Sequence, residues 1–165
     1  MPIIASDIPT LLSGGAANTN PALSLGGIES TTAAGSNLFD NVSSGEATAG
    51  DVEYRCFYVK NTHATLTLTG AKVWIQANTP SADTTIDIGL GTTAVGTGNE
   101  QTVADEQTAP SGVTFAAAAN EGAALSIGDI APGQHKAVWI RRTVNAAAAA
   151  ANDTYTIRVK GDTLP

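Results

Sequence analysis

The chain has 165 residues, enough for one ordinary domain with its own core, and 42% of them are hydrophobic. Only 14% are charged, against the ~25% usual in soluble domains, and a net charge of −7 excludes a phosphate backbone as the main partner. No apolar run approaches the ~20 residues that span a bilayer, and the N-terminus lacks the charged and apolar segments of a signal peptide, so nucleic acid and membrane are not expected partners.

Residues 1–50 form a distinct stretch. Gly, Ala, Ser, Thr and Asn dominate, with isolated apolar residues at Ile3, Ile4, Leu11, Leu12, Leu23, Leu25, Ile28, Leu38 and Phe39. Neither helical nor strand periodicity persists through them. A segment that carries apolar pegs but cannot build a core must bury them against another surface, whether its own domain, a sister subunit or a different protein. The expectation is an extended N-terminal arm, with Leu11, Leu12, Leu23, Leu25 and Ile28 against other chains.

From residue 51 to 165 the pattern turns to strands, rich in β-branched and aromatic residues and broken by Asn, Gly or Pro. Predicted strands run over 52–60, 64–77 with a bend or bulge at Gly70, 84–90, 101–103, 113–115, 124–127, 134–144 and 154–160. In 84–90, Ile86, Ile88 and Leu90 alternate with Thr85, Asp87 and Gly89, the pattern of a half-buried strand. The Ala runs at 116–119 and 146–151 are too short for stable helices and are read as loops or single turns. The fold class is all-β: an immunoglobulin-like β-sandwich of about seven or eight strands, with a jelly roll as the alternative topology.

The candidate chemistry is sparse. Cys56, the one cysteine, lies in an apolar strand and reads as a buried structural thiol. His63 and His135 have no cysteine or carboxylate partners at ligand spacing, and no serine sits in a nucleophile elbow. Asp83, Asp87, Asp105 and Glu106 could meet at a loop mouth around calcium, but they match no EF-hand spacing and read better as solvated loop carboxylates. The glycine-rich stretch 89–98 lacks a Lys-Ser/Thr pair and reads as a loop, not a phosphate cradle. Trp74 and Trp139 are expected in the core. Strand alternation sends Arg141 and Arg142 to opposite sheet faces, where each pairs with a carboxylate or makes an intersubunit contact. No catalytic residue, metal ligand or cofactor is assigned, and the expectation is a protein that is not an enzyme.

Two resemblances add to this reading. Tyr54-x-Cys-x-Tyr-Val-Lys-Asn61 and Leu66-x-Leu-x-Gly-Ala-Lys-Val73 resemble the second and third strands of immunoglobulin-like domains. The stretches 130–134, 138–142 and 155–159 resemble the closing strands of that fold, so the likeness covers about residues 52–160. In addition, Leu12-Ser-Gly-Gly-Ala-Ala-Asn-Thr-Asn-Pro21, Glu53-Tyr-Arg-Cys-Phe-Tyr-Val-Lys-Asn61 and Val138-Trp-Ile-Arg-Arg-Thr-Val144 are together similar to virion structural proteins of tailed bacteriophages. That resemblance implies a capsid decoration, or cement, protein made in the host cytoplasm. It would bind across major capsid protein subunits on the capsid surface and stabilise the head. A homo-oligomer follows, with a trimer favoured over a dimer. A tail or head–tail component, or a β-sandwich that binds carbohydrate or a cell surface, is the alternative.

Overall fold

In the computed structural model, residues 1–149 and 153–163 are described. Nine strands among them form three antiparallel sheets: β1 (Thr10–Leu12), β2 (Gly26–Gly27), β3 (Asp51–Lys60), β4 (Leu68–Ala77), β5 (Thr84–Leu90), β6 (Glu100–Thr102), β7 (Leu125–Ile130), β8 (His135–Val144) and β9 (Thr156–Thr163). A four-stranded sheet of order β1-β3-β8-β5 faces a three-stranded sheet of order β7-β4-β9, and β2 pairs with β6 in a small third sheet. A short α-helix, α1 (Ser44–Ala49), leads into β3.

The four-stranded sheet takes its shape from β3 and β8. Both are ten residues long and pair without a register break from Asp51↔Val144 to Lys60↔His135. Alternation gives the sheet two apolar faces. The inner face carries Leu12, Phe57, Val59, Ile86, Ile88, Val138 and Ile140, which pack on Leu68, Ala71, Val73, Ile75, Ile127 and Ile130 of the facing sheet. The outer face carries Leu11, Cys56, Tyr58, Ala137 and Trp139, covered by Val103, Leu25, Val113 and Phe115. The main sheet is therefore buried on both sides, by a second sheet on one and by irregular chain on the other.

The expected division at residue 50 does not hold. Leu11 and Leu12 lie in β1, paired with Tyr58 and Phe57 of β3, so they complete the core of their own chain. Beyond β1 the same edge of β3 is continued by Ser24 and Glu106, whose carbonyls accept from Cys56 N–H (2.7 Å) and Tyr54 N–H (2.7 Å). Residues 13–30 are pinned to the outer face by buried polar ties. The Ser13 hydroxyl donates to the Cys56 carbonyl (2.9 Å) and accepts from Gly26 N–H (3.0 Å). Asn18 donates to Ser13 O (2.6 Å), and the Ser30 hydroxyl donates to Asn18 O (2.6 Å). Gly26 has φ +91°, and a Cβ there would lie 1.9 Å from the Gln101 carbonyl oxygen and 3.1 Å from the Trp139 ring. Only glycine lets the strap lie that close.

The other expectations are met unevenly. The 84–90 strand is found with those bounds, and the Gly70 bend appears as a register shift in β4, with Gly70 at φ +57°. Residues 113–115 form no strand. Instead Ala116 makes a single bridge to Ile88 on the free edge of β5, and the Ala118 carbonyl accepts from Ile75 N–H (2.9 Å). These residues close that side of the sandwich. Residues 150 and 151 of the second Ala run lie outside the described residues.

Candidate functional site

The opposite side of the sandwich is open. Between β9 and the inner face at β3 and β8 lies a groove of about 850 Å³, lined by Ile3, Ile8, Leu38, Phe57, Ile140 and Ile157 among others. Its floor is apolar, because Phe57 and Ile140 are inward positions of long strands. Its wall is β9, where Ile157 and Val159 point inward half-buried and Arg158 and Lys160 point out. β9 ends its sheet: it pairs with β4 on one side, and among the described residues no strand lies on its other side.

One end of the groove is polar. Inward alternation along β3 continues from Val59 and Phe57 to Arg55 and Glu53, and along β8 from Ile140 to Arg142, with all three charged side chains buried. The register sets Glu53 directly opposite Arg142. Arg142 donates to Glu53 Oε2 and to the Asp40 carbonyl, and Arg55 donates to Glu106. Phe39 lies beneath both guanidiniums, 4.9 Å from Arg142 and 5.4 Å from Arg55, with its ring edge-on to Tyr155. Burial holds the Glu53 carboxyl above the usual range, although Arg142 pulls it down. Burial also pushes the Tyr155 phenol up to about 12, so Tyr155 is no proton acceptor at neutral pH.

The sequence-predicted site residues separate. Leu11 and Leu12 are core of their own chain, which corrects the expectation that they meet other chains, while Leu25 is half-buried against the outer-face cluster. Leu23 and Ile28 stay exposed, at 56% and 49%. Arg142 is committed to its own chain. Arg141, on the outer face, donates to Asp87 (2.6 Å) and stacks 5.1 Å from the Phe115 ring. Both arginines thus found the carboxylates that inward or half-buried cations require.

The remaining reactive groups are occupied. His135 faces Glu29 (2.6 Å) at Nδ1 and the Gly98 carbonyl (2.9 Å) at Nε2, and His63 Nδ1 accepts from Leu66 N–H (3.0 Å), so these nitrogens are already engaged. Burial pushes the Cys56 thiol far up, and the group is not a nucleophile. In the glycine-rich stretch, Thr92 and Thr93 N–H do converge on an anion, but it is the protein's own Glu100 carboxylate (3.1 and 2.9 Å). Burial alone would raise Glu100; these bonds, with those from the Thr92 hydroxyl and Gln101, hold it below the usual range. Asp83, Asp87, Asp105 and Glu106 do not gather: their carboxylates go separately to Ala149 N–H, Arg141, the Thr108 hydroxyl and Arg55. The carboxylates that do converge among the described residues are Glu46, Asp51 and Glu53. Trp74 and Trp139 are buried and offer no stacking platform for a sugar.

Glu53, Asp40, Phe39 and Tyr155 were not singled out as a set from sequence. The signal available was parity: Glu53 and Arg55 share the inward positions of Phe57 and Val59. No protein-family model, curated protein or solved structure matches this chain.

Proposed function

We propose that this chain is a non-enzymatic virion structural protein of the capsid decoration type, which docks on major capsid protein subunits as a homo-oligomer, with a trimer favoured. The observation that carries the reading is the apolar groove beside the free edge of β9. A free edge offers a row of unpaired backbone groups, and an adjoining apolar groove offers pockets for alternate side chains. Together they suit an extended segment of a protein partner better than a small polar substrate. His135 and the Glu53–Arg142 pair are engaged within the chain, and the Cys56 thiol is buried, which is compatible with a binding role. The virion setting comes from the likeness of residues 12–21, 53–61 and 138–144 to phage structural proteins.

The strand order favours an immunoglobulin-like arrangement. In the constant-type fold one sheet has the order A-B-E-D and the other C-F-G. Here β1-β3-β8-β5 follows the first order, and β4 and β9 take the C and F places. The G place falls beside β9, where the groove lies. A partner strand there would complete the smaller sheet.

Reconstruction of an intact particle tests the reading. The expected result is density for this chain at symmetry positions of the capsid surface, with a segment of a neighbouring protein along β9. Its absence from purified particles, or its presence only in the tail, overturns the decoration role.

A further inference from the structure

We infer that Glu46, Asp51 and Glu53 form a calcium site at the junction of α1 and β3. One carboxylate oxygen from each lies within 4.8 Å of the others. Oxygens on opposite sides of a calcium ion, at 2.3–2.6 Å each, are about 4.6–5.2 Å apart, so the triad has the right span.

Convergent acids alone would mean little. The independent observation is Glu53, whose side chain is fully buried while its Oε1 has no hydrogen-bond partner among the described residues. Its other oxygen is taken by Arg142. A buried carboxylate oxygen without a donor is costly, and such groups are otherwise almost always paired. In the proposed site Oε1 is the Glu53 ligand atom, and a cation bound by all three carboxylates supplies its missing partner.

Local structure holds the triad in place. Ser43 and Glu46 form a reciprocal cap on α1: Glu46 N–H donates to the Ser43 hydroxyl, and Glu46 Oε2 accepts from Ser43 N–H. That cap leaves the second Glu46 oxygen for a ligand. Gly50, at φ +77°, ends the helix and turns the chain directly into β3, where Asp51 and Glu53 fall on the same face. A Cβ at Gly50 would lie 3.0 Å from Ala146 N, so the turn is tight against the chain beyond β8. Asp51 Oδ1 accepts from Val52 N–H (2.8 Å), and Oδ2 has only a long contact (3.4 Å) from Gln107.

Charge favours the ion. Glu46, Asp51, Glu53, Asp40 and Glu106 are opposed locally by Arg55 and Arg142, a net of −3 (five negative, two positive). An all-oxygen set of carboxylates from a helix and a strand, with Glu46 and Asp51 partly open to water, suits calcium. Magnesium demands stricter octahedral geometry and gives up its waters reluctantly.

The test uses the full chain, stripped with EDTA, dialysed and titrated with calcium chloride by calorimetry and by thermal melting. The expected result is one saturable site per chain with Kd on the order of 0.1–1 mM. The melting temperature should rise by roughly 5 °C at a hundredfold excess over Kd. Asp51→Asn and Glu46→Gln should each weaken binding at least tenfold while melting like the parent in EDTA. These two variants keep the test valid if Glu53→Gln, which disturbs the Arg142 pair, fails to fold. Absence of heat and melting shift up to 10 mM calcium overturns the site. So does parental affinity in both variants. A melting temperature that ignores calcium but rises as pH falls would also overturn it, because a proton on Glu53 then satisfies the oxygen.

Discussion

The two faces of the four-stranded sheet are buried by different means. The inner face meets another sheet, and its contacts are apolar side chains from long strands. The outer face meets irregular chain, held by Ser13, Asn18, Ser30, Tyr58 and Glu100. A facing sheet satisfies its own backbone, so apolar contact suffices. A strap without regular structure must find partners for its peptide groups, and buried hydroxyl, amide and carboxylate side chains supply them. The more regular cover is also the incomplete one, since the three-stranded sheet leaves a groove beside β9.

Removing one cover altogether should have the largest effect. A chain of residues 51–165 lacks β1, the Ser13 ties and Leu38, and exposes Trp139 and Cys56. It is expected to show no cooperative thermal transition and weak near-ultraviolet dichroism. A truncated chain that melts cooperatively would return the strap to the status of a detachable arm.

Single core residues compare the faces directly. Trp139→Ala on the outer face should cost about 3–5 kcal/mol and Ile140→Ala on the inner face about 2–5 kcal/mol, by urea denaturation. A cost below about 1 kcal/mol for Trp139→Ala would mean that the strap is a loose cover able to collapse or admit water.

The polar ties should also show in the acid limb. Glu100 has its carboxyl held below its ordinary value of 4.5 by donors from Thr92, Thr93 and Gln101, against the effect of burial. A depressed folded value contributes stability above the unfolded value, and that contribution is lost as pH falls through the folded one. Glu100→Gln should therefore cost about 1–3 kcal/mol at pH 7 and progressively less below pH about 4.5. Equal cost at pH 7 and pH 3 would show that shape, not charge, holds the 91–93 loop.

How far these features can be read from sequence follows the same contrast. Strands β3, β5 and β8 stand out because their alternation or apolar continuity extends over seven to ten residues. β1 and β2 are three and two residues long, too short for any period to register. The apolar pegs of the strap are legible without periodicity, but sequence leaves open which surface takes them, and the fold shows Leu11 and Leu12 on the chain's own sheet. The Glu53–Arg142 pair depends on β3–β8 register, which spans 89 residues of sequence. Parity could place both side chains inward, and only the fold places them opposite each other. The Ser43–Glu46 capping box, by contrast, is a local signal written in four consecutive residues.

The smallest stability effect belongs to the two pegs that remain uncovered. Leu23 and Ile28 lie on the strap, exposed by about half or more, while Leu11 and Leu12, earlier in the same N-terminal stretch, are buried. Exposed side chains away from such tight contacts usually change stability by less than about 0.5 kcal/mol when replaced. Leu23→Ser with Ile28→Ser should thus melt within a degree or two of the parent. If the proposed capsid role holds and the strap presents a docking surface, occupancy of the double variant on particles stripped of the parent should fall, because burying two such side chains contributes about 1.5–3 kcal/mol each. Val159→Arg, which puts a charge into the groove beside β9, probes the other candidate surface in the same assay. Loss of occupancy in the double variant alone would assign docking to the strap. Loss in Val159→Arg alone, with its melting temperature kept, would assign docking to the groove and leave Leu23 and Ile28 as ordinary surface residues.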